Sequence, residues 1–494
     1  MAHRTPGYFR RSFQGVGTIA SSGSTTVTPR YSRFRRRLLL GLLAVVLVVA
    51  LAVAGIVALL GGDGGDDGGG AAGGAPVAEA ELPDLGAADP VLAALSEEAP
   101  LPDADVLSTG LEPLLASPAL GQGVAAHIVD VATGSVLLEQ DADEPVTPAS
   151  TAKLLTGVAA LTTLGPEHTL QTTVVAGETP GEVVLVGGGD PTLSRTAPSL
   201  TYPGAPTVAD LAAQVQEALP AGTTVTRVVV DTSLFTGPLT ASGWGPDDAP
   251  SSYAAPVTAT AVDGARVRPG ENARSGQPGL DAGAALAAAL GVPGATIVLG
   301  EAPAGAETLG TVESAPVARL VEQSLSLSDN LLAEALGRHV ALARDLPATF
   351  EGSARAVTEA LADLGVDVSA VELSDASGLS SADRVPVDVL TALLTGAADG
   401  SLADASAVLS GLAVAGYDGT LADRGDDDPA TAPGAVRGKT GTLLGVHALA
   451  GTVVTADGRL LAFAIVADEA PAAGEAAEAA LDDIAAALAR CGCR

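Results

Sequence analysis

Apolar and polar positions alternate in GVAAHIVDVATGSVLLEQDAD, residues 123–143, as in two strands joined at a Thr133-Gly134 turn. A second pair, GVHALAGTVVTADGRLLAFAIVAD at 445–468, turns at Asp457-Gly458. It leads into EAAEAALDDIAAALAR, whose apolar residues recur at helical spacing. Between these outer parts the texture changes twice. After Gln171, short β-rich runs such as GEVVLVGGG and TRVVVDTSLF are interleaved with Pro/Gly turns and one helical segment, TVADLAAQVQEAL. This stretch, 172–255, reads as an insertion. Longer amphipathic helices then return, clearest in VARLVEQSLSLSDNLLAEALGRHVAL and VPVDVLTALLTGAA. The pattern predicts an α+β fold, an antiparallel sheet with helices packed on it, and shows no repeat of solenoid length.

The N-terminal region follows another pattern. From Leu38 to Leu60 runs an uninterrupted apolar stretch of 23 residues, directly after Arg33, Arg35, Arg36 and Arg37. That length spans the roughly 30 Å hydrocarbon core, and the basic flank stays inside. The expectation is a cytoplasmic basic tail (1–37), a single transmembrane helix (38–60) and a Gly/Asp/Ala-rich linker (61–90) with a reach of roughly 30 Å. An exported globular part follows, in three segments: 91–171, the insert 172–255, and 256–494. The implied location is the cell membrane, with the N-terminus cytoplasmic and the remainder extracytoplasmic. A cleaved signal peptide is the rival, but its apolar stretch is usually about 7 to 15 residues and no clear A-x-A site follows here. Arg10 and Arg11 with Phe13 stand too far ahead of the apolar run to act as a twin-arginine signal.

Charge sharpens this division. The formal net charge is −33, yet residues 1–60 hold eight arginines and no acid. So acidic an exported part argues against nucleic acid as a partner. Cys491 and Cys493, in CGCR at the very end, read more readily as a tail without a role than as a local disulfide. No H-E-x-x-H and no cysteine cluster point to a metal, and Asp63, Asp66 and Asp67 read as solvated charge. There is no G-x-S-x-G, and His127, His168, His339 and His447 are scattered without a partner pattern.

The chain contains two lysines, Lys153 and Lys439; its other 23 basic residues are arginine. Lys153 lies in PVTPASTAKLLTG. Thr147-Pro148 there reads as a helix start, with threonine as N-cap and proline at the first position. Ser150 then falls in the first turn, with Lys153 three residues on along the same face. A serine hydroxyl needs a base to become a nucleophile, and a buried lysine can lose its proton where arginine cannot. Downstream come Ser328-Asp329-Asn330 and then Lys439-Thr440-Gly441-Thr442. Singly, the first is explained by a helix cap or Asx turn and the second by a solvated turn. In the order S-x-x-K, S-x-N, K-T-G they form the set of penicillin-recognising serine enzymes.

The spacing of 178 residues from Ser150 to Ser328 exceeds the gap of short carboxypeptidases and class A β-lactamases. The chain resembles the class C low-molecular-mass penicillin-binding proteins, the D-alanyl-D-alanine carboxypeptidase/endopeptidases of the penicillin-binding protein 4 type. LVGGGDPTLS, DASGLSSADRV and VAGYDGTL carry the likeness further, from about Gly110 to the end. The resemblance implies the penicillin-recognising serine hydrolase fold, helices on both sides of the sheet, an inserted domain between the first two motifs, and no cofactor. It implies Ser150 as nucleophile and Lys153 as base on peptidoglycan stem peptides ending in D-Ala-D-Ala, with β-lactams as covalent inhibitors. Ser328 would pass a proton to the leaving amine, and Asn330 would bind the substrate amide. A protonated Lys439, with Thr440 and Thr442 beside Gly441, would hold the terminal carboxylate, and the N–H groups of Ser150 and Thr442 would form the oxyanion hole. The family commonly has a basic residue after SGLS; Ser381 stands there, with Arg384 as its expected substitute. An inactive wall-binding module of the same fold and a β-lactamase are the alternatives. The balance of carboxypeptidase and endopeptidase action, the diamino acid preferred and the oligomeric state stay open.

Overall fold

The computed structural model describes residues 99–424, 432–471 and 474–492. The expected tail, membrane span and linker lie outside them, and among the described residues no helix is long and apolar enough to cross a membrane.

Both outer hairpins form as expected. They are β1 (Val124–Asp130) with β2 (Val136–Gln140), and β10 (Val446–Val454) with β11 (Leu460–Ala467). With β8 (Ala413–Val414) and β9 (Val436–Leu443) they make one antiparallel sheet, ordered β2-β1-β11-β10-β9-β8. Its central strands are buried on both faces, so their alternation is of size. On β11, Ala462, Ala464 and Val466 face one core; Leu461, Phe463 and Ile465 face the other. The large side chains pack on two helices from opposite ends of the chain, α1 (Ala104–Leu115) and the expected C-terminal helix (Gly474–Arg490). Cys491 is 5 % exposed in that core and disulfide-bonded, which corrects the reading of a tail without a role.

The alanine face admits a close helical layer. It contains α2 (Lys153–Leu164) and, later in the chain, helices at Val317–Ser326, Asn330–Ala343, Phe350–Asp363 and Val387–Asp399. The expected continuous helix over 317–342 is two helices, because Ser328 takes φ 51° and the Asp329 carboxylate accepts the N–H groups of Leu331 and Leu332.

A second sheet of five strands, ordered β6-β5-β4-β3-β7, is built from β3 (Gln171–Ala176), β4 (Glu182–Val186), β5 (Arg227–Asp231), β6 (Thr296–Leu299) and β7 (Thr308–Glu313). Helix α3 (Val208–Ala218) connects β4 to β5, and α4 (Pro278–Ala289) lies between β5 and β6; both strand pairs are parallel. The unit therefore reaches Glu313, and the boundary expected at 255 falls inside it. An alanine-rich α4 and a four-residue, partly exposed β6 carry too little pattern to show membership of the sheet. Between β5 and α4 the chain leaves the sheet and packs Phe235, Ala255 and Val257 on Leu331, Ala335 and Phe350.

Candidate active site

The Thr147-Pro148-Ala149 approach to the nucleophile differs from the expected cap. Pro148 is the N-cap of a single 3-10 turn, Ala149–Ala152, and the Thr147 hydroxyl instead accepts a hydrogen bond of 3.1 Å from Arg384. Ser150 still lies one turn ahead of Lys153, which opens α2 and is 1 % exposed. Lys153 Nζ donates to Ser150 Oγ at 2.9 Å, to Asn330 Oδ1 at 2.6 Å and to the Ser377 carbonyl at 2.6 Å. Burial pushes its pKa down to about 8, against the pull of Asp375, Asp329 and Glu334. A neutral amine in contact with the serine hydroxyl is thus accessible near physiological pH.

Two helices of the alanine-face layer, α5 (Val317–Ser326) and α6 (Asn330–Ala343), flank the second motif. The turn between them carries Ser328 and Asn330 to opposite amines. Lys439 Nζ, fully buried on β9, donates to Ser328 Oγ at 2.9 Å and to the Thr440 carbonyl at 2.8 Å. Burial and the charge of Lys153 push the Lys439 pKa well down, and none of its hydrogen bonds is to a carboxylate. A substrate carboxylate beside it would favour the charged amine. Asn330 Nδ2 donates to the Tyr253 carbonyl at 3.2 Å, a partner from the loop between β5 and α4.

Asp329, between the two, is fixed from the inserted region. Its Oδ2 accepts from Tyr202 at 2.7 Å, Arg274 at 3.0 Å and Arg266 at 3.3 Å. Burial would raise this carboxyl, but the two guanidinium groups hold it well below the usual range.

On β9, Thr440 donates to Thr420 at 2.8 Å, from the VAGYDGTL stretch, and the Thr442 hydroxyl reaches Glu478 at 3.5 Å. Strand β8 pairs only with Arg437 and Gly438, so from Lys439 to Leu443 that side of β9 has no strand partner among the described residues. Gly441 lies where β9 crosses the nucleophile's turn: a Cβ there would be tight, 3.0 Å from the Pro148 carbonyl and 3.1 Å from Ala149 Cβ. The cleft, about 1100 Å³, is lined by Ser150, Ser328, Asn330, Thr440 and Thr442, and also by Tyr253.

All eight residues singled out by sequence thus meet around one cleft, either lining it or buried directly behind it. Arg384 does not take the role expected of it, since its guanidinium is engaged by Thr147 and by the carbonyls of Ser381 and Asp383. Sequence reasoning missed Tyr253, Thr420 and the Ser377 carbonyl as partners. Thr420 and Ser377 lie in stretches that carried the resemblance; Tyr253 and Ser377 act through backbone carbonyls, which residue type does not reveal.

The model of the D-Ala-D-Ala carboxypeptidase 3 (S13) family matches residues 107–278 and 268–488. Carboxypeptidase DacB of Mycolicibacterium smegmatis is 41% identical over 420 residues, covering 83% of this chain and 90% of the relative. Carboxypeptidase Rv3627c of Mycobacterium tuberculosis is 39% identical, covering 81% and 87%. The crystal structure of penicillin binding protein 4 from Haemophilus influenzae shares the fold, with a TM-score of 0.63 at 20% identity over 78% of this chain and 98% of that one. With its motifs assembled in one cleft and relatives matching over most of its length, this chain belongs to the S13 family of D-Ala-D-Ala carboxypeptidases, serine hydrolases of the class C penicillin-binding type.

Proposed function

We propose that the serine D-Ala-D-Ala carboxypeptidase activity of the family runs in this chain through an acyl-enzyme on Ser150. The observation that carries this reading is the 2.9 Å contact between Ser150 Oγ and an amine whose pKa lies near 8. Neutral Lys153 takes the hydroxyl proton as Oγ attacks the carbonyl of the penultimate D-Ala. The N–H groups of Ser150 and Thr442 receive the developing oxyanion. Ser328, held by Lys439, relays to the departing D-Ala amine the proton taken up by Lys153, and Lys153, neutral again, draws a proton from the water that releases the acyl group. The terminal carboxylate binds beside Lys439, Thr440 and Thr442. The unpartnered side of β9 lets the stem peptide add as a strand, with Asn330 on its amide. β-Lactams present the same carbonyl and carboxylate and acylate Ser150. Cleavage of D,D-cross-links uses the same chemistry on a larger acceptor.

A fluorescent penicillin tests this. The wild type is labelled covalently and stably, whereas Ser150→Ala and Lys153→Arg are not. A folded wild type that takes no label is a wall-binding module, and one that releases the label rapidly is a β-lactamase.

The place of action follows from the arginine-flanked apolar run. We read Leu38–Leu60 as a membrane anchor holding the catalytic part on the outer face of the cell membrane.

A further inference from the structure

The VAGYDGTL stretch has no task in the chemistry so far, yet it is built against both downstream motifs. Its 3-10 turn, Gly419–Leu421, is anchored by Leu421, which is 1 % exposed in the core of large side chains and whose carbonyl accepts the Gly416 N–H at 3.0 Å. Asp418 Oδ1 accepts the Val414 N–H at 2.7 Å and ties the turn to β8. Gly419, with φ 57°, passes so close to the end of α5 that a Cβ would fall 2.8 Å from the Ser326 carbonyl oxygen, two residues before Ser328. So fixed, the turn holds Thr420 exposed on the cleft wall.

The terminal carboxylate of a stem peptide only accepts hydrogen bonds, so its pocket is decided by which hydroxyl still has a proton to give. Thr440 Oγ1 donates to Thr420 Oγ1 at 2.8 Å, and Lys439 Nζ pins the Thr440 carbonyl, also at 2.8 Å. The Thr442 hydroxyl is turned to Glu478 at 3.5 Å. Arg424 lines the cleft as well, but its guanidinium is committed to both oxygens of Asp482 at 2.8 and 2.7 Å. Thr420 differs. Its oxygen accepts from Thr440, and among the described residues its own hydroxyl donates to none.

We propose that Thr420 is a substrate-binding residue: its hydroxyl, oriented by accepting from Thr440, donates to the terminal carboxylate of D-Ala-D-Ala and to the corresponding carboxylate of β-lactams. The proposal rests on the reading that this carboxylate binds beside Lys439 and Thr440.

The test uses the full chain with Thr420→Val, which keeps the shape without the hydroxyl, and Thr420→Ser, which keeps the hydroxyl. Valine is expected to slow acylation by a fluorescent penicillin about tenfold, and to raise KM for a D-Ala-D-Ala peptide by a similar factor at nearly constant kcat, as loss of one hydrogen bond to a charged group does. Serine stays within about twofold of wild type. The methyl ester of the same penicillin lacks the carboxylate, so wild type and the valine variant react with it at rates within about twofold of each other. A valine variant at the wild-type rate, or one that slows acid and ester alike, overturns the proposal, as does a serine variant as impaired as valine. Calorimetric binding of the peptide to Ser150→Ala chains gives a second reading that needs no chemistry. There Thr420→Val raises Kd about tenfold, and an unchanged Kd sinks the assignment. A wild type that takes no penicillin while this Kd shift is present sinks the acyl-enzyme reading and supports Thr420.

Discussion

Lys153 is a lysine because its site needs a cation that can stop being one. Its folded pKa of about 8 is below the ordinary 10.5, so the neutral fraction grows as pH rises through that value. The rate of Ser150 acylation is expected to climb across pH 7 to 9 with a midpoint near 8, measured by stopped-flow labelling; a flat profile would remove Lys153 as the base. Asp329 is displaced in the same direction, which for a carboxyl favours the charged form. Its pKa is depressed by Arg274 and Arg266, so it contributes stability above the ordinary carboxylate pKa, and that contribution is lost as pH falls through the folded value. Asp329→Ala strands both guanidinium groups and uncaps a helix, and is expected to cost about 3–5 kcal/mol in chemical denaturation. A loss within about 1 kcal/mol would show that the network is solvated rather than buried.

Elements convert these contacts into geometry. Strand β9 meets the turn of Ser150 at Gly441, where a side-chain carbon would be tight enough to make its neighbours give by a few tenths of an ångström. Gly441→Ala is therefore expected to shift β9 off the nucleophile's turn and slow acylation about tenfold, with little change in thermal midpoint; unchanged kinetics would mean that the strand moves freely. The hairpins β1–β2 and β10–β11 were legible because their turns and alternation are local. The break at Ser328 was harder to see, since apolar spacing continues through it and only the capping chemistry of Asp329 marks it. Thr147 misled in the other direction: its residue type suits a cap, but a contact with Arg384, distant in sequence, claims the hydroxyl.

Across the whole molecule, the three motifs were readable because residue identity alone carries their chemistry. The extent of the second sheet was not, since strands β6 and β7 owe their place to pairing with β5 and β3 rather than to their own pattern. That sheet's surroundings reach the cleft through Tyr202, Tyr253, Arg266 and Arg274, so the insert is part of the catalytic framework. At this scale the anchor is also testable. A chain without residues 1–60 is expected in the soluble extracellular fraction when given a cleavable export signal, with unchanged kcat, while the full chain sediments with membranes. Sedimentation of both would assign the membrane attachment elsewhere.

The three-residue turn at Ser328 touches both amines of the site, Asn330 holding one and Ser328 the other. Such a junction couples two tasks that selection would otherwise tune apart. A substitution that loosened the grip on an antibiotic's carboxylate at Lys439 would disturb, one residue away, the carboxylate that seats Asn330 against the base. Escape from β-lactams through this turn therefore exacts lost cell-wall hydrolysis at the same step, and the economical routes to tolerance lie outside it.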